Sequence, residues 1–550
     1  MNRSRRDRLV LHGGRTAVRG ALLVAGTHSD AGKSVIVAGL CRWLGREGVK
    51  VAPFKAQNMA LNSFVTREGA EIGRAQAAQA AAARVEPEAA MNPVLLKPSA
   101  EKRTQVIVRG KPYATASARG YQGMKEELLP VVLESLEDLR GRFEVVICEG
   151  AGSPAEINLR ENDIANMGLA QAAGLPVVVV GDIDRGGLFA SLYGTLALLS
   201  AEDQALVGGF VVNKFRGDAG VLAPGLARMS ELTGRPFFGT LPWVPGLGLD
   251  GEDSLALDTP RDVRPPRGRD VLRVAVVRLP RISNFTDFDA LSHEPGVAVR
   301  FTESAQEILA ADLAVIPGTK ATVADLDQLR SRSLDGALAE RARRALPTLG
   351  ICGGYQMLGR RIRDGVESDE GEVPGLGLLP VDTVFGEEKL LARPEGRAPE
   401  FGDTEVSGYE IRHGRVLRLG GEPLFVMSDS ANGSRDGDAE GCRVGTTLGT
   451  SWHGVFESDG FRRTFLHWVA GERGLDWVAG DGSFAARREA QLEKLGDLVA
   501  ENVDRDALLR LIEGGPPLIN YQLKTGLAAI PPRAGVPQDN AVGAKLRADG

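Results

Sequence analysis

A lysine and a serine close a glycine-bounded run, Gly26-Thr27-His28-Ser29-Asp30-Ala31-Gly32-Lys33-Ser34. Glycines let successive backbone N–H groups wrap an anion, the lysine offers a point charge to terminal phosphates, and the serine hydroxyl can ligate Mg²⁺. Five residues separate Gly26 from Gly32, one more than the common Walker spacing. The surroundings are nevertheless those of a phosphate cradle: an apolar strand pattern, Ala21 to Ala25, precedes the run, and a helix-periodic segment follows to about Leu44. We assign Gly26, Thr27, Gly32, Lys33 and Ser34 to ATP phosphates, with Ser34 also on Mg²⁺. Acidic partners for the metal are expected at the ends of neighbouring strands, where an open α/β sheet holds its ligand. Glu149 follows the apolar run Val145 to Cys148, and Asp182 and Asp184 follow Pro176 to Val180. Glu149 and Asp182 are the metal candidates. Lys55, after another strand pattern in APFKAQNM, is taken as a phosphate contact in preference to a surface ion pair.

A second chemistry is written in Thr348-Leu-Gly-Ile-Cys352-Gly-Gly-Tyr-Gln-Met-Leu-Gly359. An apolar run, a cysteine and two glycines before a helix-compatible segment describe a sharp strand-to-helix turn that exposes a nucleophile. The helix N-terminus favours a thiolate, and nearby N–H groups can form an oxyanion hole. Cys41 and Cys148 lie in apolar surroundings and read as inert core residues. The thiol needs a base among six histidines. His453, in the glycine-flanked GTSWHGVF, is preferred over His413, read as a pocket residue, and His467, read as a helix residue. No carboxylate is assigned to orient it.

Positioning these residues takes a large folded body. The chain has 550 residues, 43% hydrophobic and 25% charged, which excludes a short peptide or a disordered tail. Length alone suggests roughly three to four domains. With 66 basic against 72 acidic residues the net charge is -6, too balanced for a surface built to neutralise nucleic-acid phosphates. Four scattered cysteines exclude a disulfide scaffold and a CxxC zinc site, and indicate a reducing compartment. No apolar run approaches the roughly 20 residues of a membrane span. A cytoplasmic location, with no membrane and no nucleic-acid partner, is expected.

Short β-branched runs alternating with helical patterns predict an α/β fold built on parallel sheets. The strands expected first are Ala21 to Ala25, Val49 to Pro53, Val145 to Cys148, Pro176 to Val180 and Phe210 to Val212. A charged, proline-rich stretch, TPRDVRPPRGRD, ends the first unit. Strands follow at Leu272 to Val277, Val297 to Phe301, Leu313 to Ile316 and Thr348 to Cys352, and glycine-rich β-type segments continue to about residue 470. The expected organisation is a basic extension at 1–20, without the apolar segment of a secretory signal, then an ATP-binding unit at 21–258 and a linker at 259–270. A second α/β unit at 271–475, a helical segment at 476–530 and a disordered tail at 531–550 complete it.

The motifs together resemble the cobyric acid synthases, CobB/CobQ-type glutamine-dependent amidotransferases of cobalamin biosynthesis. GTHSDAGKS, PFKAQNMALNSFVT, EGAGSPAEINLRENDIANMGLA, DIDRGGLFASLYGT, RISNFTDFDAL, GICGGYQMLG, GYEIRHGR and GTSWHGVF carry the likeness, over about residues 21 to 470. The resemblance implies a dethiobiotin-synthetase-like P-loop domain followed by a class I glutaminase-like domain, with nucleophile and histidine at Cys352 and His453. It implies amidation of the b, d, e and g carboxylates of adenosylcobyrinic acid a,c-diamide, giving adenosylcobyric acid. Each step would use ATP with Mg²⁺ and L-glutamine as ammonia donor, through an acyl phosphate, and a homo-oligomer is allowed. Where common class I glutaminases place a glutamate two residues after the histidine, this chain has Val455. The sibling cobyrinic acid a,c-diamide synthases share both domains, but PFKAQNM and EGAGSPAEINL favour the cobyric acid group. A cell-wall amidating pair is disfavoured by the fusion of both units in one chain. A P-loop positioning ATPase would have no use for a reactive cysteine.

Overall fold

The computed structural model describes residues 18–99, 103–247, 257, 263–368, 370–428 and 438–517. Most of the expected basic extension and all of the expected disordered tail lie outside the described residues.

Two parallel sheets carry the two chemistries. The first runs Phe237–Pro242, Val207–Phe215, Val177–Asp182, Gly20–Gly26, Val145–Glu149, Val51–Phe54, all neighbours parallel. Its strands are apolar on both faces, as a sheet covered by helices on both sides requires. Gly20–Gly26 lies between Val145–Glu149 and Val177–Asp182, so its carboxyl end opens at the crevice where chain connections diverge to either side. The helix Lys33–Arg46 leaves from there. The second sheet runs Val297–Thr302, Leu272–Val277, Leu313–Ile316, Thr348–Ile351, Thr447–Thr450, with antiparallel Cys442–Val444 at the edge. The predicted strands therefore recur in register, most of them a residue or two longer at the carboxyl end.

Two departures have physical causes. The apolar spacing between Phe484 and Ile512 resolves into two helices, Phe484–Asn502 and Arg505–Gly514, because Asp504 caps the second by accepting from the Ala507 amide at 3.0 Å. The first helix starts on the second unit, with Phe484 in that unit's core, and the pair then packs back onto the first unit, where Leu495, Val499 and Ile512 join Val37, Leu40 and Leu22 in one core. Gly39 makes this approach possible: a Cβ there would lie 2.3 Å from Val499 Cγ2 and 2.7 Å from the Leu495 carbonyl. The β-type reading to about residue 470 is also corrected at its end, since Asp459–Arg473 is a helix burying Phe461, Phe465 and Leu466. Among the described residues no helix is long and apolar enough to cross a membrane.

Candidate functional site

At the first sheet's carboxyl edge the phosphate loop takes the form the sequence suggests. The Thr27 amide donates to the Val180 carbonyl at 3.0 Å, tying the loop to the neighbouring strand. Gly32 sits at φ 96°, and a Cβ there would lie 2.0 Å from Asn213 Nδ2, so glycine is required on both counts. Asn213 in turn donates to the Ala31 carbonyl at 2.9 Å and holds the loop from the adjoining strand. Lys33 Nζ lies within the loop, donating to the carbonyls of His28 at 3.0 Å, Ser29 at 3.1 Å and Gly152 at 3.2 Å.

Glu149 is the hub beside it. Ser34 Oγ donates to Glu149 Oε1 at 2.8 Å, Lys55 Nζ reaches the same oxygen at 2.9 Å, and Gln79 Nε2 donates to Oε2. Burial alone would raise this carboxyl, but the lysine ammonium and the converging donors outweigh it and hold it below the ordinary range. Gln79, from the alanine-rich helix Arg74–Ala83, carries no motif signal and was not anticipated. Asp182 is not part of this cluster. Its Oδ2 faces Lys214 Nζ at 2.7 Å, with His28 Nε2 4.0 Å away, while Asp184 pairs with Arg216 at 3.0 Å. The structure thus brings Gly26, Thr27, Gly32, Lys33, Ser34, Lys55 and Glu149 around one crevice and turns Asp182 toward a lysine.

The residues fit a nucleotide with its cation. Thr27 Oγ1, Gln79 Oε1 and Asn166 Oδ1 are buried with no hydrogen-bond partner among the described residues, although buried polar atoms are normally paired. A hydroxyl and a carboxylate at hydrogen-bond distance are hard oxygen donors, and Mg²⁺ typically takes one or two protein ligands and keeps the rest for water and phosphate. Lys33, Ser34, Lys55, Glu149 and Gly150 to Gly152 line a cavity of about 360 Å³. Met59, Ala60, Leu61, Pro98, Ile282 and Phe285 also line it and add apolar surface.

The second centre forms where Thr348–Ile351 turns into the helix Gly353–Leu358. Cys352 sits at the turn with φ 49° and ψ −108°, a backbone conformation that side chains other than glycine rarely adopt. The neighbouring glycines permit it: a Cβ on Gly354 would lie 2.0 Å from the Ile316 carbonyl, and one on Gly353 would lie 2.8 Å from Thr319 Cγ2. The Cys352 amide donates to the Thr450 carbonyl at 2.8 Å, joining the elbow to the strand that leads to His453.

His453 stands close enough to Cys352 for the two to interact electrostatically, and the imidazole is fixed on three sides. Asp287 Oδ2 lies 2.7 Å from His453 Nδ1, and Asp287 Oδ1 accepts from the Gly454 amide at 2.8 Å. Tyr409 stacks on the imidazole with centroids 5.4 Å apart, and the two backbones exchange hydrogen bonds at 3.0 and 2.9 Å. Gly318 leaves room for the ring, since a Cβ there would lie 2.6 Å from His453 Cε1. Burial opposes a charged imidazole, but Asp287 and the Cys352 thiol overcome it and raise His453 to about 10. The orienting carboxylate left unassigned from the sequence is therefore Asp287, which stands in RISNFTDFDAL and replaces the glutamate missing at position 455.

The cysteine pocket is lined by cations that are paired with carboxylates, Lys320 with Glu367 of the same lining and Arg412 with Glu410. Lys97, Lys320, Lys389 and Arg412 line it together with Gln356 and His413, the latter in the pocket position expected for it. Lys97 comes from the first unit. Its Nζ meets Glu71 Oε1 at 2.6 Å, while Lys389 of the second unit meets Glu71 Oε2. Burial would raise Glu71, but the two ammonium groups hold it well below the carboxylate range, and burial pulls Lys389 down to about 8 despite Glu71.

Family models match both halves. Residues 22–254 match a CobQ/CobB/MinD/ParA nucleotide binding domain, and residues 273–461 match a CobB/CobQ-like glutamine amidotransferase domain. The cobyric acid synthase of Streptomyces coelicolor is 58% identical over 524 residues, covering 94% of this chain and 100% of that protein. That of Frankia casuarinae is 58% identical over 536 residues, covering 94% and 99%. That of Rhodococcus jostii is 54% identical over 504 residues, covering 91% and 96%. A nucleotide-binding unit and a glutamine amidotransferase unit joined in one chain, matched over nearly the full length of these relatives, place it: the chain belongs to the cobyric acid synthase family.

Proposed function

We propose that the chain makes adenosylcobyric acid by amidating the b, d, e and g carboxylates of adenosylcobyrinic acid a,c-diamide, with L-glutamine as nitrogen source and ATP as the driving reagent. The observation that carries this reading is the pairing of two complete centres across one shared wall. A phosphate loop with a serine–carboxylate pair stands on one side, and a cysteine–histidine–aspartate chain stands on the other.

A carboxylate is a poor acyl donor until phosphorylated, and when bound, Mg·ATP supplies the phosphoryl group and neutralises its charge. Gly26, Thr27 and Gly32 wrap the phosphates with backbone donors, and Lys33 and Lys55 add positive charge to the terminal phosphates. Ser34 and Glu149 are the cation ligands in this reading, while Asp182, tied to Lys214, shapes the loop from the far side. The apolar lining of the cavity, with Met59, Leu61 and Phe285, suits the hydrocarbon face of a macrocycle, and Asn58 in the same lining suits peripheral amides.

At the other centre Cys352 Sγ attacks the carboxamide carbon of glutamine. The C–N bond breaks as His453 gives its proton to the leaving nitrogen, so ammonia departs and a thioester remains. Asp287 keeps the imidazole facing the sulfur throughout and stabilises its charge whenever it carries the second proton. Water then attacks the thioester, the C–S bond breaks, and glutamate leaves with His453 again carrying a proton. In this division residues 21–258 form the amide and residues 271–475 make the ammonia, with the helices after residue 476 bracing the first unit. Homo-oligomerisation is compatible with either unit.

The test is the mass of the corrinoid after incubation of adenosylcobyrinic acid a,c-diamide with the protein, glutamine and Mg·ATP, beside a Cys352→Ala variant. Four successive carboxylate-to-amide changes are expected, lost in the variant with glutamine and recovered with ammonia. An unchanged diamide, with cobyrinic acid converted to diamide instead, would overturn the assignment in favour of the sibling group.

A further inference from the structure

The wall between the two cavities is built from four consecutive residues of one strip. Ile282 and Phe285 line the nucleotide-side cavity, whereas Ser283 and Asn284 between them line the cysteine pocket. This strip belongs to the second unit but is fastened to the first by two reciprocal bonds. The Ser63 amide donates to Asn284 Oδ1 at 2.9 Å, and the Phe285 amide donates to Asn62 Oδ1 at 3.1 Å. All four residues are buried: Asn62 and Ser63 are 0% exposed, Asn284 2% and Phe285 3%. Asn284 holds the left-handed conformation, φ 54° and ψ 38°, which turns the chain into the short 3-10 segment Phe285–Phe288. Its carbonyl accepts from the Asp287 amide at 3.0 Å, and Asp287 then meets His453.

We propose that Asn62 and Asn284 form a positioning clamp for the glutamine-splitting centre. The ATP-side unit, through these two side chains, sets where Asp287 stands and hence whether His453 faces Cys352. The inference rests on Cys352 being the glutamine-splitting nucleophile, and it makes that chemistry conditional on the docking of the other unit. The geometry is demanding in both directions. Removing Asn62 Oδ1 leaves the buried Phe285 N–H without its acceptor, and the strip must shift to find another. Asp287 lies two residues on, and a misplacement of about 1 Å at a catalytic group can cost on the order of 100-fold in rate. Two apolar side chains of the same strip, Ile282 and Phe285, line the nucleotide-side cavity.

The experiment compares Asn62→Ala, Asn62→Asp and Asn284→Gly in the full chain. Glycine suits the left-handed position, and aspartate keeps an acceptor for the Phe285 amide. Three quantities are read: glutamate release from glutamine, the pH profile of Cys352 alkylation by iodoacetamide, and ADP release with ammonia in place of glutamine. The clamp predicts a kcat for glutamate release lowered about 10- to 100-fold in Asn62→Ala and Asn284→Gly, with KM changed by no more than about threefold. It also predicts an alkylation profile whose His453 limb moves to lower pH, ammonia-dependent turnover retained, and recovery in Asn62→Asp. A parental kcat and profile in either folded variant would overturn it. So would a loss of ammonia-dependent turnover in step with glutamate release, which is what a merely structural contact would give. A parent protein that releases no glutamate would instead sink the underlying assignment of Cys352.

Discussion

Replacing Asp287 by asparagine keeps the shape of the side chain but reverses what faces the histidine. Asp287 Oδ1 accepts from the Gly454 amide at 2.8 Å, so the amide oxygen of the asparagine is held there and its NH₂ takes the place of Oδ2. A donor then faces His453 Nδ1 across 2.7 Å, where a carboxylate stood. The imidazole is forced to accept at Nδ1 and carry its proton on the other nitrogen, against the thiol it should deprotonate. Loss of a hydrogen bond to a charged group is worth about 1.5–3 kcal/mol. At about 1.4 kcal/mol per tenfold this lowers kcat for glutamate release about 10- to 150-fold, and the wrong tautomer deepens the loss toward ~10⁴-fold. Asp287→Ala removes the misplaced donor and is expected to be the milder of the two. The assay is glutamate release by the full chain, with ammonia-dependent ADP release as the control for an intact fold. An Asp287→Asn variant with glutamate release within about twofold of the parent would refute the role of Asp287.

Further expectations follow from the same geometry. Because Asp287 and Cys352 raise His453 to about 10, the parent should keep its imidazolium, and the proton it gives to ammonia, until the pH rises through that value. Glutamate release should therefore fall only at strongly alkaline pH, and at lower pH in Asp287→Asn, as a pH–rate profile would show. Glu149→Gln removes the anion that Ser34 and Lys55 share, and should raise KM for Mg·ATP in ammonia-dependent turnover while leaving Cys352 alkylation unchanged. Glu71→Gln leaves two buried ammonium groups without their shared carboxylate and should cost about 3–5 kcal/mol at neutral pH. The penalty should shrink at about pH 9, where Lys389, lowered to about 8, has shed its proton; urea unfolding at the two pH values measures both. Gly39→Ala should lose about 1–3 kcal/mol by forcing the helices Lys33–Arg46 and Phe484–Asn502 apart, read as a lower midpoint in the same experiment.

Local patterns carried most of the architecture. Leu313 to Ile316 is an uninterrupted apolar run and a strand at those bounds, and Leu272 to Val277 is a strand at its bounds too, with only Arg273 exposed near its start. The phosphate loop and the turn at Cys352 were legible for a related reason: each is a contiguous string in which glycine answers a backbone demand, as the Cβ positions at Gly32 and Gly354 make plain. What stayed hidden depends on contacts between distant segments. Asp287 reaches His453 across 166 residues of sequence, and nothing local distinguishes it from Asp289, the same residue type two positions on. Gln79 reaches Glu149 from a helix whose alanine-rich pattern marks packing only. The helices from Phe484 on have an ordinary amphipathic pattern, and nothing local states that, beyond Phe484 itself, their apolar residues belong to the first unit's core. Asp182 stands at a strand end just as Glu149 does, and only the neighbouring strand, which brings Lys214, decides that the two carboxylates have different partners.

The most direct measurement uses glutamine labelled with ¹⁵N in its amide, together with adenosylcobyrinic acid a,c-diamide, Mg·ATP and unlabelled ammonium in the same solution. If one chain splits glutamine at Cys352 and spends the ammonia across the wall at the phosphate-loop side, mass spectrometry of the corrinoid should show four new amides, all carrying ¹⁵N. A product whose label matches the mixed ammonia pool of the solution, or that carries none, would contradict the joining of the two centres.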